Sequence, residues 1–219
     1  MHAIYALVAG PLVWIAFLIF FGGLIFRITQ LFMMARRKEP FIFSYLSFKF
    51  SLRSIFHWIL PFGTTNWRLN PILTVVTFVF HFCLLITPFF LLSHMVLLDE
   101  SLNLNWWTLP DTLADMMTVI VIAGCIYFGI RRKINATVRF VTDSSDYIIL
   151  GLVAAPFITG FFAYHQWFHY PAMLLLHILS AEILLIAIPF TRLAHMLLAF
   201  LTRSYMGSEF GKIRHARDW

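Results

Sequence analysis

Charge is scarce in this 219-residue chain. Only 12% of its residues are Asp, Glu, Lys or Arg, about half the share that a soluble domain carries. With a mean hydropathy of +0.84, that scarcity rules out an ordinary water-soluble fold. Cysteine is nearly absent as well: Cys83 and Cys125 are the whole complement, and both lie inside apolar runs. They form no CxxC or CxxCH, so a disulfide framework, a cysteine zinc site and covalent c-type haem attachment are not indicated. The first apolar stretch has no basic segment before it and no small-residue cleavage site after it. It reads as a retained helix rather than a signal peptide.

Long apolar runs are plentiful. Five are long enough to span a bilayer, at about 5–33, 72–98, 113–130, 147–164 and 172–201, since a hydrocarbon core of about 30 Å takes about 20 helical residues. Nothing alternates with barrel periodicity, so helices must satisfy the backbone inside lipid. The expectation is an all-α integral membrane protein, a single domain over 1–219, built as a five-transmembrane-helix bundle.

The charges that do occur are unevenly placed. All 16 Lys and Arg residues fall within 27–68, 131–139 and 192–217, and the loops near 99–111 and 164–171 hold none. The positive-inside rule then places the amino terminus in the periplasm and the carboxyl terminus in the cytoplasm of a bacterial inner membrane. The net charge of +6 follows from this asymmetry, and no patterned motif for nucleic acid accompanies it. Between helices one and two, residues 41–60 mix Phe, Leu and Ile with Lys49, Arg53 and His57. That mixture suits a cytoplasmic segment lying in the lipid interface, or a docking surface for a partner.

Chemistry in such a chain comes from polar residues at membrane depth, where each needs a partner. Four histidines qualify: His81 and His94 on helix two, His177 and His195 on helix five. The two helices run in opposite directions, so depth matches His94 with His177 near the outer surface and His81 with His195 near the cytoplasm. Two facing neutral imidazoles can clamp a planar cofactor through its iron, one axial bond from each. Two such pairs stacked across a bundle would make an electron path through the bilayer. The plainer alternative is four separate histidines, each bonded to a helix carbonyl. His177 and His195 lie 18 residues apart, which is five turns on one face of an ideal helix and about 27 Å of rise. His81 and His94 lie 13 apart, which is about 140° out of phase. Pro88 stands between them as a site where the helix can kink or unwind.

The run from Leu176 to His195, LHILSAEILLIAIPFTRLAH, resembles the last helix of the nitrate reductase gamma subunit family of membrane cytochromes b. In that family the second histidine closes a Pro-Phe-Ser/Thr-Arg-Leu-x-His run, and the five-helix plan with an outer amino terminus is similar. The resemblance implies two non-covalent haems b held between helices two and five by His81, His94, His177 and His195. The short length, basic first loop and compact tail look more like the cytochrome b subunits of transmembrane redox complexes in sulfate-reducing bacteria, of the high-molecular-weight cytochrome c type. Such assemblies place periplasmic multihaem cytochromes c and cytoplasmic iron–sulfur subunits around the membrane unit, with a quinone such as menaquinone as a further candidate partner. The helix-two spacing of 13 residues departs from the ten of the nitrate reductase pattern, which leaves the quinol site and the soluble partner open.

Other polar residues carry two readings each. Arg192 would pair with a haem propionate or snorkel to headgroups, and the family-like run favours the propionate. Glu182, five residues beyond His177, would serve structurally or pass protons to a quinone. His165 and His169 have metal-ligand spacing but no acidic or cysteine neighbour in sequence, which favours exposed loop histidines. Against a small transporter, no internal repeat or matching pair of broken helices is found. A purely structural anchor for a larger complex leaves four membrane histidines without a role.

Overall fold

The computed structural model describes residues 2–219, and every regular element among them is helical. In chain order these are α1 (His2–Leu7), α2 (Val13–Lys38), α3 (Ile42–Tyr45), α4 (Phe48–Ile59), α5 (Thr65–Leu69), α6 (Pro71–Phe90), α7 (Leu92–Leu102), α8 (Asp111–Ile134), α9 (Ala136–Phe140), α10 (Ser144–Tyr164), α11 (Tyr170–Phe190) and α12 (His195–Ser208). A π-helical turn joins α1 to α2, and the two make one long first helix. Five helices are long and apolar enough to cross a membrane: Ala3–Lys38, Pro71–Phe90, Asp111–Ile134, Ser144–Tyr164 and Tyr170–Phe190. The protein is an all-helical, multi-pass membrane protein. Large apolar side chains such as Leu18, Phe82, Ile126 and Ile148 lie on the outside, as they must where the solvent is lipid.

Two spans end earlier than the apolar runs suggest. Helix two does not continue to residue 98: Leu91 is extended (φ −73°, ψ 133°) and α7 starts afresh at Leu92. The three carbonyls this break exposes are all accepted for. Pro88 O receives His94 Nδ1 at 2.8 Å, Phe89 O receives Trp106 Nε1 at 2.9 Å and Phe90 O receives Leu109 N at 2.8 Å. A helix can stop in mid-run when donors from elsewhere replace its missing amides. Helix five likewise ends at Phe190 rather than near 201. Pro189 is followed by an extended Thr191 (φ −119°, ψ −175°), whose hydroxyl caps the next turn by accepting from Leu193 N at 3.2 Å. His195 is therefore the first residue of α12. The single ideal helix assumed for His177 and His195, with both on one face, does not exist.

The chain divides into two compact units, 2–8 with 75–181, and 9–74 with 182–219. In the first, α8 packs against α10 and α6 meets α8 where Gly124 makes room for the Phe80 ring. Arg132 of α8 pairs with the buried Asp146 of α10 at 3.3 Å, and Asp146 also closes a capping box on Asp143. In the second, Gly23 of α2 lets that helix approach Pro189 so closely that a Cβ would stand 2.6 Å from the proline Cβ. Here too the amphipathic α4 lies against α12. The seam is made of small hydroxyls: Ser47 N donates to Ser208 Oγ at 3.0 Å, Ser51 Oγ donates to Ser204 O at 3.0 Å, and Ser51 and Ser208 hydroxyls meet at 2.9 Å. Residues 41–60 are thus not all turned to lipid or to a partner. One face is covered by the chain's own carboxyl-terminal helix.

Candidate functional site

The first unit brings two of the four histidines together. The rings of His94 and His177 lie with centroids 5.9 Å apart and planes 18° apart. Each has its Nδ1 on a main-chain carbonyl at 2.8 Å, Pro88 O for His94 and Pro156 O for His177. A carbonyl only accepts, so Nδ1 carries the proton in each ring and Nε2 keeps the lone pair that binds metal. The fold sets this up through its irregularities. The break at Leu91 leaves Pro88 O to His94 and starts α7 afresh, so the 140° of a continuous helix no longer describes His81 and His94. On α10, Pro156 and Gly160 are one turn apart, and a Cβ on Gly160 would stand 2.9 Å from both Nδ1 and Cε1 of His177. The missing side chain is the space in which the His177 ring lies.

His81 and His195 show the same bonding pattern within their own units. His81 Nδ1 lies 2.7 Å from Thr77 O, and His195 Nδ1 lies 2.8 Å from Arg192 O. All four predicted histidines thus hold Nδ1 on a main-chain carbonyl. His81 belongs to the first unit and His195, with Arg192, to the second. His195 and Arg192 are exposed.

The spacing of His94 and His177 suits one group of the kind that the resemblance implies. Two imidazoles bonded through nitrogen to one metal at about 2 Å each would have centroids about 6 Å apart, close to the 5.9 Å found for His94 and His177. Among the described residues no group of three or more His, Cys, Asp and Glu side chains could hold a metal ion. Two near-parallel imidazoles would offer two nitrogen ligands, fewer than a structural zinc site takes and as many as a haem b would take from its protein.

Glu182 of α11 is buried, at 4% exposure, and neither carboxyl oxygen has a hydrogen-bond partner. Thr87, beside Pro88, is 1% exposed with its hydroxyl also unbonded. At the far end of α10, His165 Nε2 lies 3.0 Å from Asp115, an acidic neighbour that sequence proximity did not reveal. Asp115 stands on α8, 50 residues away. Carbonyl acceptors for the four histidines are what the plainer reading expected; which carbonyls serve, and the part of Gly160, were not read from the sequence. For His94 and His177 the trace in the sequence is a proline or glycine inside an apolar run.

A protein of Nitratidesulfovibrio vulgaris strain Hildenborough, whose description states no activity, is 36% identical over 214 residues, which cover 94% of this chain and 93% of that protein. The chain belongs to that protein's family. No protein-family model matches it, and neither does any solved structure. Because the similarity runs almost end to end on both sides, the family relation extends over all five spans rather than over one shared segment.

Proposed function

We propose that the chain is the membrane cytochrome b subunit of a respiratory redox complex, holding two haems b and passing electrons across the membrane. The observation that carries this reading is the His94–His177 pair: two half-buried imidazoles 5.9 Å apart, each oriented by a carbonyl at 2.8 Å. Haem supplies one-electron transfer at its iron when bound. The residues of the chain do the rest. Pro88 O and Pro156 O hold the two tautomers and aim the rings, while Gly160 keeps the backbone clear of one of them. His81 in the first unit and His195 in the second are the ligands that the resemblance implies for the other haem, and Arg192 would neutralise a propionate. That the relative comes from a sulfate reducer agrees with the resemblance to redox complexes of such bacteria.

Electrons would enter and leave through docked partners or a quinone. A periplasmic multihaem cytochrome c or a menaquinone would work near His94 and His177. A cytoplasmic iron–sulfur subunit would work near the basic segments, which offer a positive field to an acidic surface.

The test is a pyridine haemochrome assay on the purified protein, with redox titration of single variants. About two extractable haems per chain are expected. His94→Ala and His177→Ala should each remove the same redox component. A haem content near zero, or different components lost in the two variants, would overturn the proposal.

A further inference from the structure

Helix α6 ends at Phe90 and α7 begins at Leu92, with Leu91 extended between them. In an unbroken helix the carbonyls of Pro88, Phe89 and Phe90 would accept from the amides of Leu92, Ser93 and His94, each four residues on. Here they have other donors: His94 Nδ1 at 2.8 Å, Trp106 Nε1 at 2.9 Å and Leu109 N at 2.8 Å. The first of these bonds needs the break. Residues six apart on one ideal helix are separated by about 9 Å of rise and about 240° of turn, so the His94 ring could not reach Pro88 O. The carbonyl that orients His94 is within its reach while the helix stays broken, and out of reach once it closes.

What holds the break open lies beyond α7. Leu109 contributes main chain, and Trp106 contributes a side chain. The Trp106 indole donates to Phe89 O, and its ring stands edge-on to Phe90 with centroids 6.4 Å apart. Trp107 packs on the same Phe90 ring at 4.4 Å. An indole N–H can only donate, and a carbonyl left without a donor at the end of a membrane span is costly. Deprived of Trp106, Phe89 O has the Ser93 amide as its substitute. Closing that bond makes Leu91 helical, brings the Leu92 amide onto Pro88 O and carries the His94 ring away.

We infer that Trp106 is a positioning residue of the His94–His177 site: its N–H keeps the end of α6 open and thereby aims the His94 ring. A hydrogen bond from Nδ1 makes an imidazole a more basic ligand through Nε2. In a haem ligated there, that favours ferric over ferrous iron and lowers the potential. Losing the Trp106 N–H therefore raises it. Leu92 supplies a way to lock the break. It is the first residue of α7 and 56% exposed, and Leu91 before it has φ −73° and ψ 133°. Proline favours that helix position and that conformation in the residue before it. Leu92→Pro removes the amide that would close on Pro88 O.

The test compares the full chain, as purified in detergent, with Trp106→Phe, Leu92→Pro and the double variant. Hydrogen–deuterium exchange resolved to single amides reads the break itself. The Ser93 and His94 amides lie in the first turn of α7, where intrahelical partners are missing, and in Trp106→Phe they should exchange several-fold more slowly as helical bonds form. Adding Leu92→Pro should restore the original rates. Redox titration, which rests on the haem reading above, should show the component that His94→Ala removes moved to higher potential, or lost, in Trp106→Phe, and Leu92→Pro should reverse either change. Unchanged or faster exchange in Trp106→Phe, or effects that Leu92→Pro does not reverse, would overturn the part given to Trp106. Slower exchange with an unmoved potential would separate His94 from the break and overturn it too. An original chain that purifies without haem would overturn the haem reading instead, and the exchange rates would still decide whether Trp106 holds the break.

Discussion

A single missing methyl group decides whether His177 can reach its carbonyl. The ring lies over Gly160, and any Cβ there would fall 2.9 Å from Nδ1 and Cε1, well inside van der Waals contact. Gly160→Ala must push the ring off Pro156 O, and with it the tautomer that leaves Nε2 free. On the haem reading, this variant should drop the haemochrome yield from about two per chain to about one and lose the same redox component as His177→Ala. Gly22, with open space around its Cα, is the control. Gly22→Ala should leave haem content unchanged and stabilise α2 by up to about 1 kcal/mol through helix propensity. An unchanged spectrum in Gly160→Ala would mean that the orientation of His177 serves packing alone.

The helices themselves were legible in the sequence to differing degrees. The spans α8 and α10 stand out because each apolar run closes on charge and caps, as with Arg131 to Lys133 and the Asp143 box. The breaks at Leu91 and Thr191 do not stand out, because both sit inside apolar runs and depend on donors supplied in three dimensions. Trp106 and Leu109 cap the end of α6 from beyond α7, and hydropathy has no access to that. The histidines were found by their cost at membrane depth and carbonyl partners were expected for them, but not that Pro88 and Pro156 would supply two of these. The serine seam was illegible for another reason: hydroxyls at three- and four-residue spacing on α4 read as a solvated face. That seam is sharply constrained. A Cβ on Gly207 would stand 2.7 Å from Phe50 O and would strike Ser54, so Gly207→Ala should force α4 away from α12 at a cost of about 1–3 kcal/mol. Limited proteolysis in detergent checks this: cleavage within residues 39–70 should speed up in Gly207→Ala, while the spans stay protected. Equal cleavage would show that α4 and α12 separate freely in the native protein.

At the scale of the whole molecule, the governing feature is the sorting of charge along the chain. An odd number of spans puts the two ends on opposite faces, and alternate connections share a face. Residues 27–68, 131–139 and 192–217 hold every Lys and Arg, while the connections after α6 and after α10 hold none. Cations resist translocation, so the first set should be cytoplasmic and the second periplasmic. The two native cysteines make this directly testable, because Cys83 and Cys125 are 3% and 5% exposed and should give little background. Trp107, 66% exposed in the connection before α8, and Phe140, 91% exposed in the basic connection before α10, are suitable positions for single substitutions. In intact cells, a membrane-impermeant maleimide should label Trp107→Cys and spare Phe140→Cys, and permeabilisation should make the second reactive. The reverse pattern would invert the topology and move the His94–His177 pair to the cytoplasmic side. Labelling of both in intact cells would mean that α8 does not cross. With the expected pattern, the electrons of the proposed function would travel between a periplasmic donor or acceptor beside His94 and His177 and a cytoplasmic one beside the basic connections.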